Sequence, residues 1–224
     1  MSVSVIIPTW NEAGCLADTI RALRRQGPLE VLVADGGSTD ATRQAAVEAD
    51  CFLEAPRGRG SQMNAGAAQA RGDVLLFLHA DCTLEDGALA EAERLLRRCG
   101  VAAGCFTMTV NARGLLYRWI DAAASARVRL AGLIYGDQGL FLRRQLFEHL
   151  GGFPPLRLME DVFFSRRLAR CGRLVMARRR IWVSPRRWQR AGIVRQTLRN
   201  WTLLTLAVAG VHPDRLAELY PAVR

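Results

Sequence analysis

Two short apolar runs, residues 3–8 and 31–34, each stop abruptly at a polar, turn-forming cluster. Thr9-Trp10-Asn11-Glu12 follows the first, and Asp35-Gly36-Gly37-Ser38-Thr39-Asp40 follows the second. Unbroken runs rich in valine and isoleucine read as strands buried on both faces, the habit of a parallel sheet. Between them Leu16, Ile20 and Leu23 recur at helical spacing, so the unit is strand–helix–strand. The same reading predicts strands at 3–8, 30–34, 51–54 and 73–79, with helices at 13–26, 40–49 and 60–71. Through Asp81 this alternation predicts an α/β fold with a mostly parallel central sheet and helices on both faces. Further on, the pattern predicts helices at 85–98, 114–131, 143–150 and 160–171, and strands at 102–110, 138–142, 173–177 and 181–184. A last long helix, 189–209, ends near Gly210 with Pro213 beyond it. Open sheets of this kind bind ligands past the carboxyl ends of their strands. Asn11, Glu12 and Asp35 therefore stand at a ligand site, without the glycine fingerprint of a dinucleotide fold.

The 224 residues, half of them hydrophobic, suit one domain with a full core. Charge changes the picture more. The net charge is +10, and it is unevenly placed: residues 1–142 hold 14 Arg and 16 acids, residues 143–224 hold 17 Arg and 5 acids. Residues 178–199 carry eight arginines and no acid. Such a tail calls for a polyanionic neighbour: lipid headgroups, a phosphorylated substrate or nucleic acid. The six cysteines form no Cys-x-x-Cys pair, so buried free thiols are expected and a zinc site is not. Met1 leads straight into a strand with no apolar leader, which predicts a cytoplasmic location, with the inner face of the membrane open to the basic tail.

Pro8-Thr9-Trp10-Asn11-Glu12, Asp35-Gly36-Gly37-Ser38-Thr39-Asp40, Phe77-Leu78-His79-Ala80-Asp81 and Glu160-Asp161 form an ordered set. In that order and at these distances they resemble the motifs of family 2 glycosyltransferases, over roughly residues 1–185. The chain looks closest to a compact bacterial subgroup with a His-Ala-Asp version of the usual Asp-x-Asp motif. The resemblance implies a GT-A fold in 1–185, with 186–224 as a basic, amphipathic helical extension packed on or beside it. It also implies a nucleotide-diphospho-sugar donor, a divalent cation (Mg2+ or Mn2+) and inversion at the anomeric carbon.

Residue by residue, the resemblance assigns Pro8, Thr9, Asn11, Glu12, Asp35 and Gly36 to the nucleotide. Asp35 can accept a hydrogen bond from a uracil imide, which favours UDP; the plainer reading is a turn in which Ser38 or Asp40 caps the next helix. Arg57-Gly58-Arg59-Gly60-Ser61, just before a helix, offers guanidinium groups and a helix amino terminus to a pyrophosphate, Arg59 foremost, or else forms a solvated surface loop. Asn64 either reaches the same ligand or faces solvent. Asp81 is the implied metal ligand, since one carboxylate plus phosphate oxygens suffices for a hard dication. His79 cannot supply the first carboxylate of the usual motif; it touches ribose or phosphate, or pairs with backbone. Asp137 and Gln138 either border the acceptor and donor sugar or make a glycine turn. Asp161 is the implied general base, with Glu160 beside it as the second candidate; two acids opening a helix also suit its dipole. Ser184-Pro185-Arg186-Arg187-Trp188 resembles the tail of the Gln-x-x-Arg-Trp motif without its glutamine, which places Arg187 and Trp188 at the acceptor and gives no support to processivity. Residues 201–209 are too short to span a bilayer, so this helix lies at an anionic interface or packs on protein, its own chain or another copy.

The acceptor is left open, a phosphorylated or lipid-linked hydroxyl being compatible with the arginines. A nucleotidyltransferase shares such a sheet but places a Gly-rich basic signature in the first loop, where this chain has Pro-Thr-Trp-Asn-Glu. A surface-binding module without catalysis leaves the carboxylates at strand and helix ends unexplained, and they would repel the backbone of a nucleic acid.

Overall fold

The computed structural model describes residues 1–218, so the end of the basic extension, 219–224, lies outside the described residues. The predicted alternation is present as β1 (Val3–Thr9), α1 (Leu16–Arg24), β2 (Glu30–Asp35), α2 (Thr42–Ala45), β3 (Cys51–Glu54), α3 (Arg59–Gln69) and β4 (Val74–Phe77). After it come β5 (Cys82–Leu84), α4 (Ala88–Leu96), β6 (Val101–Val110), α5 (Leu115–Ala131), β7 (Leu140–Arg143), α6 (Arg144–His149) and α7 (Glu160–Cys171). The chain continues as β8 (Arg173–Val183), α8 (Arg186–Ala191), α9 (Ile193–Val208) and α10 (Pro213–Glu218). The strands form one sheet in the order β3-β2-β1-β4-β7-β6-β8-β5. Pairing is parallel from β3 to β4 and again between β6 and β8; β7 runs antiparallel to both its neighbours, and β5 antiparallel to β8.

The central strands bury both faces. Val5, Ile7, Val33 and Leu76 belong to one core with α1 and α4, while Ile6, Leu32, Leu75 and Phe77 belong to the other with α3, α6 and α7. Gly66 is what lets α3 lie so close: a Cβ there would stand 2.5 Å from Ile6 Cγ2. That approach brings the start of α3 over the carboxyl end of β1. A third, smaller cluster joins Leu203, Ala207 and Leu216 of α9 and α10 to Leu133, Met159 and Val162. Each buried leucine contributes roughly 1.5–3 kcal/mol, enough to hold the extension against the sheet domain.

Several segments differ from the pattern-based expectation, among them β5 and α10, which it does not contain. Strand β8 is continuous where two short strands are predicted, because α4 and the turn before it satisfy the arginine run between them. Glu91 accepts from the backbone N–H groups of Arg178 and Arg179, and Glu85 from that of Arg180. The single helix expected over 189–209 is broken at Gly192 (φ 84), which separates α8 from α9. Predicted helix 40–49 shrinks to the four residues of α2. The thiols are also more varied than expected: Cys82 and Cys105 are buried, Cys15 and Cys51 half-buried, Cys99 and Cys171 exposed. No helix among the described residues is long and apolar enough to cross a membrane.

Candidate active site

The site is built where the chain leaves β1, β2 and β4. The first two loops are laced into one lip: Asn11 N–H donates to Ser38 Oγ (2.8 Å), Thr39 N–H to Asn11 Oδ1 (2.9 Å) and Glu12 N–H to Thr42 Oγ1 (2.9 Å). Asn11 adopts φ 55, a left-handed conformation that asparagine tolerates. Asp40 accepts from the N–H groups of Thr42 and Ala13, while the N-cap of α2 is Ala41, with no side-chain cap bond, rather than the expected Ser38 or Asp40. Asp35 is buried and accepts four hydrogen bonds: from Thr9 Oγ1 (3.0 Å) and Ser38 Oγ (2.5 Å) at Oδ1, and from Gly37 N–H (3.0 Å) and Ser38 N–H (2.8 Å) at Oδ2. It shapes the turn, and a base N–H that reaches it must exchange for one of these donors. Below both loops Gln62 donates to the carbonyls of Thr9 (2.6 Å) and Ala34 (2.9 Å), and its amide fills the space beside Gly36.

Against this lip opens a cavity of about 800 Å³, within the roughly 300–1,000 Å³ of ligand clefts. Arg57 and Arg59 enter it at the start of α3, His79 and Asp81 just past β4, and Asp137 from the one-turn 3-10 helix Gly136–Gln138. Asp161 opens α7, Arg187 and Trp188 come from α8, and Asn200 and Leu203 from α9. A recess of about 140 Å³ shares Arg59, His79, Asp81 and Arg187 with the cavity and extends to Pro8, Asn11, Glu12 and Arg186. Arginines and aspartates thus converge on one space, the first able to hold a pyrophosphate and the second a cation and hydroxyl groups.

The two acids at the start of α7 face different ways. Glu160 is 2% exposed and pairs with Arg59 Nε at 2.9 Å. Burial raises its carboxyl, opposed by Arg59 and reinforced by Asp161. Asp161 lines the cavity instead; its Oδ2 accepts from Gly136 N–H at 2.6 Å and its Oδ1 from Val162 N–H at 2.7 Å. Met159, immediately before the pair, takes φ 62, an unusual conformation for a residue with a side chain. Removing Arg59 would strand a buried carboxylate at a cost of about 3–5 kcal/mol, so a loss of activity in Arg59→Ala would not by itself report a phosphate contact.

Beside them, burial pushes His79 down to about 4, with Arg59 and Arg187 adding to the effect, so its imidazole is neutral at ordinary pH. Burial likewise raises the Asp137 carboxyl. His79 Nε2, Asp137 Oδ1 and Trp188 Nε1 are enclosed polar atoms with no hydrogen-bond partner among the described residues. Such atoms are costly unless a ligand meets them. His79, Asp81 and Cys82 present ligand atoms within 4.8 Å of one another, and burial holds the Cys82 thiol well above its ordinary value, which leaves the imidazole and the carboxylate. A neutral, unpartnered nitrogen two residues from a carboxylate fits a divalent cation that takes its remaining ligands from phosphate and water.

Most residues singled out in the sequence meet at this cavity or its recess. Thr9, Asp35, Gly36, Gln138 and Glu160 are not among the residues that line either space. Gln138 is fully buried, accepting from Arg127 Nη2 (2.8 Å) and Tyr135 N–H (3.3 Å). Asn64 turns away and exchanges hydrogen bonds with the backbone of Phe153. The sequence reading missed Gln62, Arg157, which lines the cavity, and Arg186, which bridges Glu12 and Asp81. A glutamine inside a helix and arginines in a basic run carry no distinguishing pattern. A Cβ on Gly136 would stand 2.8 Å from His79 Nε2 and 3.3 Å from Asp161 Oδ2, a closeness that a glycine turn in the sequence does not announce. Gly136→Ala is expected to lower turnover at least about tenfold with little change in melting temperature, as misplaced catalytic groups do. Steady-state rates beside thermal unfolding check it, and normal turnover would show that these side chains need not hold their places.

Residues 4–154 match the model of the glycosyl transferase family 2 domain, and the chain belongs to that family. A PGL/p-HBAD biosynthesis glycosyltransferase of Mycobacterium bovis is 31% identical over 165 residues, 67% of this chain and 62% of its own length. Among solved structures, the chain resembles S. aureus TarS 1–349 (TM-score 0.65, 21% identity, 83% of this chain and 61% of that one). It also resembles glucosyl-3-phosphoglycerate synthase from Mycobacterium tuberculosis, solved with Mn2+, UDP and phosphoglyceric acid (TM-score 0.62, 19% identity, 94% and 79%). The curated relatives are longer proteins, matched over 20–62% of their lengths. The fold is therefore the expected GT-A arrangement.

Proposed function

We propose that the chain transfers a sugar, with inversion, from a nucleotide-diphospho-sugar to a hydroxyl acceptor, assisted by a divalent cation. The observation that carries this reading is the cavity in which Arg59 and Arg187 stand together with Asp81, Asp137 and Asp161 beside the β1 and β2 loops. In this reading Pro8, Asn11 and Glu12 border the nucleoside, and Thr9, Asp35 and Gly36 hold the loop that receives it. UDP is the favoured nucleotide, as in the mycobacterial synthase complex. Arg59 and Arg187 take the diphosphate, and Asp81 with His79 would hold Mg2+ or Mn2+. The cation, when bound, neutralises charge on the departing nucleoside diphosphate. Asp161 accepts the acceptor's proton, oriented by Gly136 N–H, while Asp137 Oδ1 is placed to meet a sugar hydroxyl. The acceptor enters past Arg187, Trp188, Asn200 and Leu203, a wall with positive charge that suits a phosphorylated or lipid-linked molecule. Glu160 keeps Arg59 in place.

The test is to screen UDP- and GDP-sugars for Mn2+-dependent hydrolysis and thermal stabilisation. Stabilisation by a UDP-sugar that EDTA abolishes is expected; indifference to every nucleotide sugar would end this reading.

Helix α9 packs Leu203 and Ala207 inward and leaves Val194, Leu198 and Trp201 exposed, with Arg195 and Arg199 beside Val194 and Leu198 in the chain. This apolar stripe among arginines suits an anionic bilayer surface, each arginine contributing about 1 kcal/mol near it. Co-sedimentation with anionic vesicles at low salt, lost at high salt or with neutral lipid, is the expected result. Binding that ignores lipid charge, or no binding, would count against it.

A further inference from the structure

The proposed reaction leaves Arg186 without a role, although it touches two of the site's carboxylates. Nη2 of Arg186 stands 3.2 Å from Asp81 Oδ2 and 3.3 Å from Glu12 Oε2, so a single guanidinium joins the candidate metal ligand to the acid of the first loop. Cys15 Sγ lies 3.7 Å away on the same side. Arg186 is the first residue of α8, whose position is held by the buried Trp188. Its own side chain is 46% exposed and borders the recess shared by the two carboxylates. The backbone is thus set, while the end of the side chain has room to move.

A guanidinium on Asp81 supplies to the ligand-free site what a divalent cation supplies to the loaded one. Both cannot occupy the same carboxylate oxygen, because like charges at contact distance repel and each needs the same lone pairs. A diphosphate entering the recess offers the arginine another partner, with several oxygens in the geometry its planar fork matches. Arg187 and Arg190 border the same recess, so an incoming anion finds further positive charge there already.

We propose that Arg186 is a resident counter-ion: it occupies Asp81 and Glu12 in the nucleotide-free protein and passes to the diphosphate when nucleotide and cation bind. This rests on the reading of Asp81 as the cation's ligand. It follows that the free protein takes up a divalent cation poorly and that nucleotide and cation bind as a pair. Arg186 is a positioning residue in this scheme, since it acts on the cation through Asp81.

The experiment uses the full chain and two separate titrations, Mn2+ alone followed by electron paramagnetic resonance, and UDP in EDTA followed by calorimetry. Arg186→Gln is expected to bind Mn2+ about three- to tenfold more tightly than the unaltered protein, the range of one or two partly exposed ion pairs. The same variant is expected to bind metal-free UDP more weakly by a similar factor. These opposite signs are what a merely structural residue would not produce. Arg190→Gln removes equal charge from the recess without touching Asp81; if it tightens Mn2+ as much, net charge is the cause and the proposal fails. Unchanged Mn2+ affinity in Arg186→Gln, or changes of the same sign for both ligands, also overturns it. If neither protein binds Mn2+ while both bind UDP, there is no cation to displace and the counter-ion idea falls, with nucleotide binding intact. Failure of both proteins to bind UDP as well removes the functional reading itself.

Discussion

Asp161→Asn is expected to lower sugar transfer by about 10²–10⁴-fold, the usual contribution of a general base, while donor affinity stays within about threefold. The substitution preserves shape. An amide oxygen at Oδ2 still accepts from Gly136 N–H, the 2.6 Å bond that aims the group into the cavity. What is lost is the ability to take a proton from the acceptor hydroxyl, a step the nucleotide does not share. Glu160→Gln is the informative companion. Glu160 is buried against Arg59 at 2.9 Å, so that variant should disturb donor binding and stability before it disturbs proton transfer. Measured kcat and KM for both variants, with UDP affinity determined separately, separate the roles. Near-normal transfer by Asp161→Asn, or a kcat collapse confined to Glu160→Gln, would move the base to Glu160.

The elements around this pair show what the sequence could express. Strands β1, β2 and β4 are legible because their runs are apolar on both faces and end at polar turns, a signal local to each segment. Strand β5 is three residues long and exists only because Cys82–Leu84 pairs antiparallel with β8, a contact almost a hundred residues away in sequence that no local window contains. The continuity of β8 through Arg178–Arg180 depends likewise on carboxylates of Glu85 and Glu91. The site divides in the same way. Asp81, Asp161 and Arg187, which line the cavity, stand in short motifs, so their places are legible locally. Gln62 and Arg186 act through partners on distant segments, Thr9 and Ala34 for one, Glu12 and Asp81 for the other. Packing also separates the two adjacent acids, Glu160 facing Arg59 and Asp161 the cavity. Burial raises Glu160, and its guanidinium partner belongs to α3, which a reading of Glu160-Asp161 alone has no means to include.

Asp81→Ala is expected to abolish the Mn2+ dependence of UDP binding and to reduce transfer by at least about a hundredfold, the scale on which removing one electrostatic contact to developing charge acts. Asp81 is the carboxylate in the group of ligand atoms it forms with His79 and Cys82, and burial keeps that thiol protonated. Without it, the neutral His79 nitrogen is left to hold a hard cation, a task for which oxygen ligands are preferred. The variant also frees Arg186, which keeps only Glu12 as a carboxylate partner. Metal-free UDP binding should therefore survive and can even tighten, because the guanidinium no longer has to leave Asp81 to reach the diphosphate. Loss of metal response together with retained UDP binding would distinguish a missing cation site from a collapsed pocket. UDP titrations in Mn2+ and in EDTA, run beside a thermal melt, make the comparison. An unchanged metal response in Asp81→Ala would remove Asp81 from the cation site and leave its pairing with Arg186 as a purely internal contact.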